Sequence, residues 1–151
     1  MRHVMMVVII LSLGILQSGC NEDKDAPYFE FAGGGFVFNY RNAEHYYGFV
    51  VRPKRGLPDD AILEAHFEMP GGRPPLVLTE PVKPGRLQYM FRTGHLLGIV
   101  KGHPYKVVLK LVDGKTGTEL GHVEKTFATE VDQASLPEEP LVIGPGYQQP
   151  Q

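Results

Sequence analysis

The chain has little of the chemistry from which most small enzymes are built. It holds one cysteine, Cys20, and no tryptophan. One thiol excludes a disulfide within the chain and any metal site built on several thiolates. The serines are Ser12, Ser18 and Ser135. A serine hydrolase needs its nucleophile on a rigid element beside a base, and Ser135 falls in a proline-rich stretch. No glycine-rich loop is followed by Lys and Ser or Thr. Gly33-Gly34-Gly35 leads instead into Phe36-Val37-Phe38, a strand pattern, so no helix N-terminus is there to hold phosphate. The triplet is read as a turn or a sheet-edge irregularity. Positive charge is not in excess: 15 Lys and Arg face 17 Asp and Glu, a formal net charge of −2. That argues against a nucleic-acid partner. With 18 glycines and 13 prolines, a helical bundle is excluded as well, whereas short strands joined by turns suit the composition.

What is present begins at the N-terminus. After Met1-Arg2-His3 the chain is apolar from Val4 to Leu16, broken only by Ser12 and Gly14. Thirteen helical residues cover about 20 Å at ~1.5 Å each, short of the ~30 Å hydrocarbon core of a bilayer. A charged start, a short apolar stretch and the small residues Ser18-Gly19 describe an export signal rather than a span. The stretch Leu16-Gln17-Ser18-Gly19-Cys20 resembles the lipobox of bacterial lipoproteins, although Gln17 stands where that family usually has Leu. The resemblance implies cleavage before Cys20 and acylation of its thiol and new amino group. The chain would then be held at the membrane by a lipid anchor, facing the periplasm. In the enterobacterial sorting pattern, Asp directly after the cysteine retains a lipoprotein in the inner membrane. Asn21 stands there, which points to the outer membrane. An ordinary cleaved signal with an incidental cysteine and an uncleaved anchor are the alternatives.

On this reading residues 1–19 are the signal peptide and 20–26 the acylated cysteine and a polar linker. Residues 27–129 form the folding body and 130–151 a Pro-rich acidic tail. The body is mostly of period two. Ala61, Leu63, Ala65, Phe67 and Met69 alternate with Ile62, Glu64, His66 and Glu68. Leu87, Tyr89 and Phe91 do the same against Arg86, Gln88, Met90 and Arg92, as do Tyr105, Val107, Leu109 and Leu111 against Lys106 and Lys110. Further strands are expected over 28–31, 36–41, 45–52 and 76–80, separated by turns at 33–35, 53–60, 70–75 and 81–85. Val107–Val112, Asp113-Gly114-Lys115-Thr116-Gly117 and Thr118–Phe127 spell a hairpin. On its second strand Leu120 and Val123 are out of step by one, so a bulge is placed at Gly121. Seven or eight short strands predict an all-β fold, a single antiparallel β-sandwich. Lys101-Gly102-His103-Pro104-Tyr105 resembles the corner before the penultimate strand of immunoglobulin-like and fibronectin type III-like domains, where a tyrosine ties the corner to backbone. The buried tryptophan and cysteine pair of that family are absent.

Candidate sites come from what is left over. Glu64, His66 and Glu68 share one face of a strand as a candidate ligand group. Alternate residues are ~6.8 Å apart, too wide for two neighbours to hold one ion without bending, and a solvated outer face explains them equally. His66, Met69, Met90 and His95 mix the sulfur and nitrogen that suit copper, but Met69 has core parity and packing explains it better. Tyr46 has the opposite parity to Tyr47, Phe49 and Val51, which makes it a candidate outward platform for a carbohydrate ring, with packing under a loop as the equal alternative. Arg52, Lys54 and Arg55 form a basic loop, either for anionic headgroups or an acidic partner, or simply solubilising. Thirteen basic and ten acidic residues make the body net positive, while the tail carries Glu130, Asp132, Glu138 and Glu139 and no base. The tail's apolar cluster Leu141-Val142-Ile143 either docks on the sandwich as an edge strand or binds another protein by strand addition. The expectation is a non-catalytic interaction or scaffolding protein of the cell envelope, with no cofactor or metal. A small-ligand binder, for carbohydrate or metal, is the alternative.

Overall fold

Ala61, Leu63, Ala65 and Phe67 all point inward from one strand, and Ile62, Glu64 and His66 alternate with them on its outer side. The same alternation organises the rest of the computed structural model, which describes residues 26–141. Seven strands result: β1 (Phe29–Asn39), β2 (Glu44–Pro53), β3 (Ala61–Phe67), β4 (Leu76–Pro81), β5 (Tyr89–Arg92), β6 (Tyr105–Asp113) and β7 (Glu119–Phe127). They form two antiparallel sheets, ordered β1-β2-β5 and β4-β3-β6-β7. In a constant-type immunoglobulin sandwich the fourth strand joins the first sheet. Here β4 pairs with β3 instead, which makes the sandwich fibronectin type III-like.

With no tryptophan, the space between the sheets is filled by phenylalanine and tyrosine. Tyr47 stacks on Phe36 (4.9 Å between centroids) and meets Phe67 edge-on at 5.3 Å, while Phe49 contacts Phe31 and Phe67 at 5.3 Å each. Burying such a ring contributes roughly 1.5–3 kcal/mol. A buried hydroxyl needs a partner, and each buried tyrosine finds one in a loop. Tyr47 donates to the Glu68 carbonyl, Tyr89 accepts from Lys83 N–H at 3.0 Å, and Tyr105 accepts from Val100 N–H at 2.8 Å. The last is the tyrosine corner expected from the sequence.

Three local expectations meet the structure differently. The hairpin bulge is present: Leu111 pairs with Gly121 and Val112 with Glu119, leaving Leu120 as the extra residue. Val123 and Phe127 are thereby returned to the core side. The glycine triplet, by contrast, is not a turn. The strands expected over 28–31 and 36–41 are one strand, β1, which begins at Phe29, ends at Asn39 and runs through Gly33-Gly34-Gly35 with only a register shift between Phe31 and Gly33. A Cβ on Gly34 would lie 2.6 Å from the Phe127 ring and 2.7 Å from the Gly48 carbonyl. Glycine is needed there because β7's last aromatic is packed against the backbone. Finally, Leu87 is not a core residue. It is 83% exposed, because β5 begins only at Tyr89.

Candidate functional site

The outer face of the four-stranded sheet is charged and internally paired. Lys106 meets Glu124 at 2.7 Å, Lys110 meets Glu119 at 3.0 Å, and His122 lies 2.7 Å from Glu119. His66 Nε2 sits 3.3 Å from Glu64. Glu68, beyond the end of β3, turns away to His103 at 2.9 Å and accepts the Lys106 N–H at 2.9 Å. Those two hydrogen bonds hold its carboxyl below the usual carboxylate range. The expected group is therefore split, with Glu64 and His66 together and Glu68 elsewhere. Among the described residues, no three His, Cys, Asp or Glu side chains gather closely enough to hold a metal ion. His66 and Met90 lie on the outer faces of different sheets, so the sulfur–nitrogen set is not assembled either.

The opposite outer face, on β1-β2-β5, is built differently. Strand register places Gly33, Val50 and Met90 in one cross-strand row and Gly35, Gly48 and Arg92 in the next, with Val37 and Tyr46 paired beyond them. The middle row has no side chain at two of its three positions. The result is a shallow apolar trough of about 510 Å³, floored by glycine and walled by Val50 and Met90 on one side and Val37 and Tyr46 on the other. Met90 is 64% exposed, high for so large an apolar side chain. Arg92 closes one end, its guanidinium 4.8 Å from the Tyr46 ring and 3.9 Å from Glu44. Tyr46 faces outward as its parity requires, though Arg92 covers part of the ring face a sugar would stack on.

A second cavity, of about 710 Å³, lies where the tail meets the sandwich. Beyond β5 the chain continues alongside β2, with Thr93 N–H bound to the Tyr47 carbonyl and Leu96 N–H to that of His45. The tail then crosses this segment. Gln133 accepts from Ile99 N–H and donates to the Leu96 carbonyl, both at 2.8 Å. His45, only 3% exposed, donates its backbone N–H to His95 Nδ1 at 3.2 Å, and its own ring Nδ1 makes no hydrogen bond. Burial first, and then the neighbouring His95, lower its pKa from the ordinary value. Ala43, His95, Glu138 and Pro140 also line this cavity. Nothing in the spacing of His45, His95 and Gln133 signals the cluster, because Gln133 lies 34 and 37 residues along the chain from the groups it binds.

The remaining candidates fall as follows. Arg55 lies 3.6 Å over the Tyr28 ring, where it packs against the body, while Arg52 and Lys54 are exposed. Leu141 is exposed, and Val142 and Ile143 lie outside the described residues, as do Cys20 and the segment 1–19 expected to be a signal peptide. No protein-family model matches the chain, and no curated protein is significantly similar to it.

Proposed function

We propose that this is a lipid-anchored protein of a bacterial cell envelope, facing the periplasm and bound to its membrane through Cys20. Its work is non-catalytic: the sandwich binds or braces another envelope protein. The glycine-floored trough on the three-stranded sheet carries this reading, because it offers apolar surface and bare backbone on one outer face while the other outer face is sealed by its own ion pairs. Contiguous exposed apolar surface of this kind marks interaction sites. The lipobox-like segment supplies the location.

Site-specific photocrosslinking in intact cells tests the reading. A photoreactive residue at Val37 should capture a stoichiometric partner, and one at Val108, on the charged face, should not. Equal capture at both positions, or none at Val37, overturns it. Labelling with palmitate that persists in the Cys20→Ala chain would overturn the anchor. The alternative, a carbohydrate bound against Tyr46 in the same trough, predicts a raised melting temperature with sugars that is lost in Tyr46→Ala.

A further inference from the structure

The two ends of the sandwich differ in charge. At one end, hydrogen bonds tie the start of the body to three connections. Lys54 N–H donates to the Tyr28 carbonyl at 2.9 Å, Gly114 N–H to that of Asp60 at 3.1 Å, and Val82 N–H to that of Ala61 at 2.9 Å. The connections 54–60, 82–88 and 114–118 carry Lys54, Arg55, Lys83, Arg86 and Lys115 against Asp59 and Asp60. Two acids stand at the neighbouring strand ends. Glu80 lies against Lys83 and Arg86 and offsets part of the surplus, while Asp113 accepts the N–H groups of Lys115 and Thr116 within its own turn. Lys54 is exposed, and the side chains of Lys83 and Lys115 are 59% and 77% exposed, so all three still present charge to solvent. The other end reverses the balance. There the connections 40–43, 68–75 and 93–104, with residues 128–141, carry Arg41, Arg73 and Lys101 against five acids, four of them between Glu130 and Glu139.

The chain enters the body at the basic end. Ala26, where the described structure begins, is six residues beyond Cys20, and six extended residues span at most about 20 Å. An acyl group on Cys20 therefore holds the basic end nearest the bilayer. A tether this short raises the local concentration of lipid for every group at that end. The surface has only to orient the domain, and a modest charge surplus is enough even beside the linker's Glu22, Asp23 and Asp25. The same end carries Leu87, at 83% the most exposed large apolar side chain of the described residues. Arg86 precedes it directly and Lys83 by four residues. An apolar side chain projecting among bases fits a bilayer interface, where it sits below the headgroups while the cations stay among the phosphates. Leu97 and Val100 are exposed as well, but at the acidic end, which an anionic surface repels.

We propose that the end formed by 54–60, 82–88 and 114–118 rests on an anionic lipid surface, with Leu87 inserted among the headgroups. This rests on the lipid-anchor reading above and adds an orientation to it. The strands then stand upright on the membrane, and the trough faces sideways, open to a partner beside it.

The full lipidated chain in vesicles tests this. Cys20 is the only cysteine, and acylation occupies its thiol. Leu87→Cys and Leu97→Cys therefore each provide one free thiol for a fluorophore. In vesicles of phosphatidylethanolamine and phosphatidylglycerol, nitroxides on the lipid headgroups should quench the label at 87 and spare the label at 97. Quenching at 87 should weaken in phosphatidylcholine alone. In the Lys54→Gln, Lys83→Gln double variant the ratio of contacting to free label should fall about tenfold or more, each near-membrane base being worth about fivefold. The substituted residues are all exposed, so the variants should keep the parent's melting temperature. Equal quenching at 87 and 97, none at 87, or quenching at 87 indifferent to the two lysines overturns the proposal. Flotation of the chain with the vesicles reports the anchor separately. A chain that floats with the label at 87 in water overturns the contact and leaves the anchor standing, and a chain that does not float overturns both.

Discussion

At the scale of single residues, the two informative positions are a glycine and a histidine. Gly34 is held at φ 155° with the Phe127 ring and the Gly48 carbonyl filling the place of a side chain. Gly34→Ala should cost about 2 kcal/mol or more, since neither neighbour can withdraw without opening the contact between β1 and β7. Gly33 meets nothing within 4 Å, so Gly33→Ala should lie within about 0.5 kcal/mol of the parent. Urea denaturation of the two variants checks the contrast, and equal losses would contradict it. His45 makes a prediction about pH. Its imidazole is buried neutral, with a pKa below the ordinary 6.5. In the unfolded chain it protonates near 6.5, so below that pH the unfolded state binds more protons than the folded state. Stability from this group is therefore full above about pH 6.5 and is lost as pH falls toward the depressed folded value. His95, Asp132 and Glu138 line the same cavity. The urea midpoint should drop between pH 7.5 and 5.5, and His45→Phe should flatten that drop. An unaltered slope in the variant would place the titration elsewhere.

At the scale of elements, the segment from Thr93 to Pro104 matters more than its lack of regular structure suggests. It pairs with β2 through Thr93 and Leu96, is pinned by Tyr105 at Val100, and is clasped by Gln133 at Leu96 and Ile99. One glutamine side chain here does what a strand would do, satisfying a donor and an acceptor at once. Gln133→Ala should leave both without that partner and cost about 1–3 kcal/mol. The sharper sign is local. Amide exchange at Ile99 should accelerate while exchange at Val107 and Leu109 changes only by the global loss. Uniform acceleration would mean that the tail is not a separate clasp. The polar amide pattern of the tail disclosed none of this, since a glutamine in a Pro-rich acidic stretch carries no mark of what it will bind.

At the scale of the whole molecule, the two outer faces differ, and so should their tolerance. Phe67→Ala opens the space between the sheets and should cost about 3–5 kcal/mol. Its neighbour on the strand, His66, should be replaceable by Asn within about 0.5 kcal/mol, since its partner Glu64 is itself solvent-accessible. Thermal melts of the two variants decide this, and comparable losses would mean that the charged face is structurally coupled to the core. The sequence by itself determined the all-β class, the hairpin with its bulge, the tyrosine corner and the parity of Tyr46. The tyrosine corner came from a resemblance carried by five residues, and the others follow from a period of two or from chemistry within about ten residues, signals that survive in a linear chain. Tertiary structure alone decided that Gly33-Gly34-Gly35 continues a strand, that β4 joins β3, and that His45, His95 and the tail enclose a cavity. It also decided that Gly35 and Gly48 share one row, so that two missing side chains become one trough. Those results depend on which surface is packed against which, and a contact between residues tens of positions apart leaves no periodicity to read.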